Sequence, residues 1–476
     1  MESDDSTPNL FKVGENCWRV EHAKRASVLI DGENYFRAVR KSMARANKRI
    51  MLLGWDFDAR IEMHDTTEQH EGPLRIGDYF DWLLKNNRDL NIYILRWNTG
   101  AIKSFFRGSS LLTLIRWYFH RRVHFKLDGH HPAGAAHHQK VVAIDEDTAF
   151  CSGIDVTNDR WDTRAHEQDQ KERKQPDGKD AGPWHDAAMA VQGDVAKALA
   201  EFAEQHWHDA GGKKLCDGNS GTDCWPGDLE PDFSDCSMAI SRTLPEMDDQ
   251  KPAREIEQLY LDLIGAAQKY IYAESQYFAS AKIAGAISLR LQEVDGPEVI
   301  IINPETSDGW LESEIMDSTR ARLFEAVKMR DVHDRFRIFH PVNDVGTPIY
   351  VHAKILIIDD RIIRVGSSNF NNRSLGFDSE CDVTLEASSS SGEATTNSIG
   401  RIRNDLISEH LGSTETKVCA KIAETQSLIA TIGALRKPGR TLRIYQTPDL
   451  TQVQQWLAEN DILDPKRADD AFAGII

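Results

Sequence analysis

His138, Lys140 and Asp145 in "HHQKVVAID" return at the same intervals as His352, Lys354 and Asp359 in "VHAKILIID". A single H-x-K-x-x-x-x-D match is a weak signal, because a strand with a few polar residues produces it. Two matches constrain the chain further, since their surroundings repeat as well. Residues 26–58 read as a strand, an apolar-periodic helix and a β-rich run ending in "GWDFD". Residues 237–278 read the same way and end in "ESQYF". Each unit continues into more α/β pattern ("LNIYILRW" and "PEVIIINP") and then reaches its triplet. A chain of 476 residues exceeds what one core usually serves, and this one is written as two copies of one α/β unit.

The copies span about 26–208 and 237–412. This sets a first domain over 1–210, a linker over 211–236 rich in Gly, Asp and Cys, and a second domain with a tail over 237–476. The tail reads as a helix (KIAETQSLIATIGAL), a short strand (RTLRIYQT) and another helix (LTQVQQWLAEN). Residues 164–183 form a charged loop, long enough to be functional or mobile. A net charge of −18 speaks against a nucleic-acid partner, whose phosphates call for a basic field. The seven cysteines include no CxxC pair, so reduced thiols are expected and no metal site is. Cys216, Cys224 and Cys236 are close enough in sequence for a local disulfide to be the alternative. No apolar run approaches the roughly 18 residues of a membrane span. The acidic, polar start "MESDDSTPNLFK" lacks a secretory signature, so the expectation is cytoplasmic, with export by a signal-independent route as the alternative.

The triplet suits phosphoryl chemistry. Strand alternation puts His138 with Lys140, and His352 with Lys354, on one side. A histidine can attack phosphorus or hand a proton to a leaving oxygen, and a lysine beside it can neutralise a phosphoryl oxygen. Exchange of a phosphodiester with retention needs two such histidines, so two copies facing across a pseudo-two-fold would complete one site. The flanks "AFCSGIDVTNDRWD" and "RVGSSNFNNRSLGFDSECDV" align Ser152-Gly153 with Gly366-Ser367 and Asp155 with Asn369. Small residues such as Gly153 and Ser367 would let the backbone approach a phosphate, and Asn369 could donate an N–H to it. Each imidazole needs a carboxylate on its far nitrogen. Asp186 in "WHDAAMAV" is the expected partner of His138, with Glu167 and Asp169 next in line. Glu380 in "FDSECDV" is the expected partner of His352. Trp184 and His185 could line the mouth of the site, whereas Trp55 in "GWDF" and Tyr277 in "SQYF" read as core. Residues 101–126 carry six Lys/Arg and no acid, as an amphipathic helix over the sheet or a face for anionic lipid.

With both triplets, "GSSN", "GIDVTNDRWD", "WHDAAMAVQG", "IYAESQYF" and "RNDLISEHLG", nearly the whole chain resembles the phospholipase D superfamily. Within it, the chain is similar to bacterial phospholipases D of eukaryotic type. The resemblance implies an α/β fold in which two similar sheet-and-helix domains pack with pseudo-two-fold symmetry around one site. It implies catalysis through a phosphohistidine without metal or cofactor. His138 would be the nucleophile and His352 the acid, with Lys140, Lys354 and Asn369 on the phosphoryl oxygens. Asp145 and Asp359, at the opposite strand phase, would be structural supports of the catalytic set. The implied substrate is a phospholipid at a membrane or micelle surface, with no nucleic acid and no stable protein partner. The implied reaction is hydrolysis to phosphatidate, with transphosphatidylation to alcohols. A phospholipid synthase such as cardiolipin synthase, or a nuclease, is the alternative within the superfamily. The first copy departs from the pattern in carrying Asp155 where the second has Asn369, and in inverting Gly-Ser.

Overall fold

The computed structural model describes residues 10–66, 71–98, 115–117, 119–248, 250–307, 310–387 and 392–447. The first copy supplies β1 (Arg19–Ile30), β2 (Arg49–Gly54), β3 (Asn91–Trp97), β4 (Val123–Asp128), β5 (Lys140–Ile144), β6 (Thr148–Ser152), β7 (Trp184–His185) and β8 (Ala187–Gly193). The second supplies β9 (Phe233–Leu244), β10 (Ala253–Arg254), β11 (Tyr270–Glu274), β12 (Glu298–Ile302), β13 (Phe336–Val342), β14 (Tyr350–Val351), β15 (Ile355–Ile358), β16 (Ile362–Gly366) and β17 (Glu380–Glu386). A last strand, β18 (Thr441–Ile444), comes from the tail.

One continuous sheet runs through both copies. Outward from the central β1·β9 pair it reads β8-β6-β5-β2-β3-β4 on one side and β17-β16-β15-β11-β12-β13 on the other. β1 and β9 are antiparallel, from Arg19 opposite Ile240 to Ala26 opposite Phe233, so the pseudo-two-fold passes through this pair. Runs such as EVIII in β12 and ILII in β15 are buried almost throughout, as strands covered on both faces must be. Parallel β2-β3 and β11-β12 need crossovers, supplied by the helices Ile76–Asn86 and Ala281–Gln292.

Two layers of helices cover the sheet. On one face Asp194–Asp209 and Gly392–His410 share a single core that includes Leu199 and Phe202 from one copy and Ile399 and Leu406 from the other. On the opposite face each copy keeps its own core, with Asp31–Ala44 and Ile76–Asn86 in one and Glu255–Ala266 and Ala281–Gln292 in the other. The duplicated α/β fold read from the sequence is thus present.

Two local features differ from the sequence reading. The segment 421–435 is not one helix. Gln426 takes a left-handed φ of 53° and ends Glu415–Thr425, and the Ser427 hydroxyl then accepts from the Ala430 N–H to start Leu428–Leu435. The stretch between the copies is not a loose surface linker, because Cys224 and Trp225 are buried in the first copy's core. Cys216, Cys224 and Cys236 are all free thiols, as expected, and the alternative of a local disulfide falls. Most of the basic stretch 101–126 and the helix expected over 450–460 lie outside the described residues. Among the described residues, no helix is long and apolar enough to cross a membrane.

Candidate active site

The chain enters β5 through His138 and approaches β15 through His352. Each entry segment runs parallel to the segment that leads to the other copy's carboxylate. His137 bridges Ser379, one residue before Glu380, and β14 pairs with β7, just before Asp186. The backbone N–H of His138 donates to the Ser379 carbonyl at 2.9 Å, and that of His352 to the His185 carbonyl at 2.8 Å. The side chains follow this register. His138 Nδ1 lies 3.0 Å from both oxygens of Glu380, and His352 Nδ1 lies 2.8 Å from Asp186 Oδ2.

The expected pairs, Asp186 with His138 and Glu380 with His352, are therefore exchanged. Each histidine takes its carboxylate from the opposite copy, because the parallel bridges cross the pseudo-two-fold. Glu167, the alternative for His138, instead offers its carbonyl to Arg173, and Asp169 is not needed for either pair.

Gly153 and Ser367 buttress these carboxylates rather than bare the backbone to a ligand, which corrects their expected phosphate contact. A Cβ on Gly153 would stand 2.4 Å from Asp186 Oδ1 and 3.1 Å from Lys354 Cδ, so only glycine leaves room for that dyad. At the equivalent place Ser367 donates its hydroxyl to Glu380 at 2.5 Å, and Ser374 does so at 2.6 Å.

A cleft of about 500 Å³ opens over the two imidazoles. With both Nδ1 atoms held, the Nε2 atoms are left to meet a ligand. Asp155, Asn369 and Trp184 line the cleft as expected. Trp55 and Tyr277, read from sequence as core, line it too, and Trp55 stacks on Trp97 with centroids 5.8 Å apart. Trp184 stacks on Tyr350 at 4.7 Å and carries the Arg160 guanidinium 4.2 Å above its ring. Arg160 and Gln276 were missed by the sequence reading. Arg160 is the lone cation of "VTNDRWD", and that isolation was the available signal.

Asp155 and Asn369 are structural equivalents: Asp155 Oδ1 accepts from Trp55 N at 2.9 Å, and Asn369 Oδ1 from Gln276 N at 3.3 Å, each holding the loop that leaves β2 or β11. Their second atoms differ. Asp155 Oδ2 lies 3.4 Å from the Lys140 ammonium, whereas the Asn369 amide nitrogen faces Gln276 at 3.5 Å.

Lys140 and Lys354 are buried and turn back to donate to the carbonyls of His138 and His352. Burial lowers the Lys354 ammonium to about 7, against the pull of Asp186 and helped by Lys140. Both imidazoles lie well below their usual range, again first through burial and then through the lysines. The carboxylates diverge. Asp186 drops to about 2 because His352 and Lys354 outweigh its burial, while burial carries Glu380 up to about 8 despite Lys140 and the serine hydroxyls. Ionisation is thus favoured at Asp186 and opposed by burial at Glu380.

Asp145 and Asp359 sit at the turns that end β5 and β15, each in left-handed conformation. Asp145 accepts the backbone N–H groups of Asn47, Lys48 and Arg49 at 2.6–2.8 Å, and Asp359 those of Gln268, Lys269 and Tyr270 over the same range. They tie each triplet strand to its neighbour and stand apart from the cleft.

The family model described as "Cardiolipin synthase, PLD-like domain" matches residues 260–398. The chain is 25% identical over 421 residues to Phospholipase D A of Dictyostelium discoideum, covering 73% of this chain and 31% of that protein. It is 21% identical over 517 residues to Phospholipase D alpha 4 of Arabidopsis thaliana, covering 84% and 66%. It therefore spans less than two thirds of the length of either relative. The crystal structure of phosphatidylserine synthase from Haemophilus influenzae superposes with a TM-score of 0.54 at 14% identity, over 88% of this chain and 96% of that one, a likeness of fold.

Proposed function

Because the chain belongs to the phospholipase D superfamily, we propose that it is a phospholipase D, cleaving the distal phosphodiester of a glycerophospholipid. One observation carries this reading: two imidazoles, one per copy, share a cleft, and each is oriented by a carboxylate of the other copy. In the first step His138 Nε2 attacks phosphorus, and the bond to the headgroup oxygen breaks as His352 gives that oxygen its proton. Burial and Lys354 oppose a charge on His352, and the ionised Asp186 together with an incoming phosphodiester anion favours the imidazolium that an acid needs. Glu380 accepts the Nδ1–H of His138 and so leaves the Nε2 lone pair free on a neutral ring, which is the state a nucleophile needs. Lys140, Lys354, Arg160 and the Asn369 amide surround the phosphoryl oxygens with positive potential.

In the second step His352, now neutral, takes a proton from water or an alcohol whose oxygen attacks phosphorus and frees His138. Neither histidine distinguishes water from an alcohol, so phosphatidate and phosphatidyl-alcohol form in competition. The match of the second copy to a domain described for cardiolipin synthase favours one further reading, in which a phosphatidyl group passes to a lipid alcohol.

The test is product analysis on vesicles of phosphatidylcholine, -ethanolamine, -glycerol or cardiolipin, with and without a primary alcohol, beside single-stranded DNA. Headgroup release with alcohol-dependent phosphatidyl-alcohol supports the proposal. Cleavage of DNA with inert lipid would overturn it.

A further inference from the structure

Asp128, His137 and His206 converge from three elements: the last residue of β4, the segment entering β5, and the helix Asp194–Asp209. One ligand-type atom from each lies within 4.8 Å of the others. His137 Nε2 is 3.2 Å from Asp128 Oδ1, and His206 Nδ1 is 4.0 Å from Asp128 Oδ2. The side chains are only 1%, 3% and 7% exposed for Asp128, His137 and His206. Among the described residues, Asp128 Oδ2, His137 Nδ1 and the amide oxygen of neighbouring Gln139 are buried without a hydrogen-bond partner, and His137 Nε2 meets only Asp128 Oδ1. So many unpaired buried polar atoms in one place are costly unless something else engages them.

The donor set says what that is. Two imidazoles and a carboxylate form a frequent zinc set, and bonds of about 2.0–2.2 Å at tetrahedral angles hold ligand atoms roughly 3.3–3.6 Å apart. The two separations here, each to a different oxygen of Asp128, fall just below and just above that range. Among the described residues, two other histidine–carboxylate groups are already occupied by protein cations. In them His185 lies between Asp31 at 2.9 Å and Glu274 at 2.7 Å, and Arg164 lies against Glu409 at 2.5 Å.

We propose that Asp128, His137 and His206 form a structural site for a divalent transition-metal ion of the zinc class, with the Gln139 amide at its edge. Gln139 Nε2 lies 3.5 Å from His206 Nδ1, so turning the amide over would bring its oxygen to the same point. None of the three residues lines the catalytic cleft. The ion's role is to fasten β4, the helix and the backbone that leads directly into His138. Sequence spacing could not show this set, because its members stand 9 and 69 residues apart on separate elements.

The test uses the tag-free full chain, stripped with chelator and titrated with Zn²⁺ or Co²⁺. One zinc per chain, a tetrahedral Co²⁺ spectrum and a rise in Tm on loading are expected. His206→Ala and Asp128→Asn should abolish the spectrum and the Tm response, while His410→Ala should keep both. His206→Cys should retain the metal and add a thiolate-to-cobalt band. That variant decides the matter even if His206→Ala fails to fold. Absence of zinc uptake by the wild type, equal binding by His206→Ala and Asp128→Asn, or a folded His206→Cys without the thiolate band would overturn the proposal.

Discussion

Asp186 and Glu380 place their histidines in unequal electrostatic settings, and substitution can separate the roles proposed for them. Asp186→Asn should withdraw support from the imidazolium on His352, lowering turnover of a natural headgroup by on the order of 10³-fold. A substrate with a nitrophenol leaving group needs no acid, so this variant should still form the covalent adduct from it. Glu380→Gln should suppress the adduct from either substrate, because it disorients His138. Rapid-quench measurement of adduct and product distinguishes the two variants, and the opposite pattern would mean that the roles are reversed. The histidines and lysines were legible in the sequence because their chemistry is local to one strand. The exchange of carboxylates was not, since it depends on parallel bridges between residues more than 160 apart. Gly153 illustrates the same limit: sequence shows a small residue, and only the fold shows that Asp186 occupies the space of its absent side chain.

Among the elements, the turns ending β5 and β15 explain the third letter of each triplet. Asp359 gathers three backbone N–H groups where the chain enters β11. Asp359→Ala should therefore cost about 1–3 kcal/mol in urea-induced unfolding. Turnover per folded molecule, counted by active-site titration, should stay within a few-fold of wild type. A large fall in turnover at unchanged stability would show that the carboxylate acts in the reaction instead. The strand–helix order of each copy was readable because apolar periodicity is strong there. The break at Gln426 was not, because one residue in left-handed conformation leaves no periodic trace. Trp55 and Tyr277 misled for a related reason: an aromatic residue at a strand end suits a core and a cleft wall equally well.

Across the whole molecule, the charged loop 164–183 is joined to both copies by a buried network. His166 meets Asp162, just before the loop, at 2.8 Å and Glu409 in the other copy at 3.1 Å, and Arg173 meets Asp162 at 2.8 Å. Burial alone would lower the His166 pKa, but Asp31, Asp162 and Glu409 outweigh it and raise it to about 9. A folded pKa above the unfolded value of about 6.5 means that this stabilisation is full below pH 6.5 and is lost as pH rises through about 9. Stability should fall by up to roughly 3 kcal/mol across that window. His166→Gln should be less stable at pH 6 and should lose most of the slope. An unchanged slope in that variant would assign the pH dependence to another group.

The central claim is that the two copies make one site, in which His138 forms the covalent bond and His352 moves the proton. The most direct measurement is mass-spectrometric mapping of the acid-labile adduct trapped from a nitrophenyl phosphodiester. The wild type and His352→Ala should carry the phosphoryl group on the peptide containing His138, and His138→Ala should carry none. An adduct on His352, or full turnover in His138→Ala without any adduct, would contradict the account.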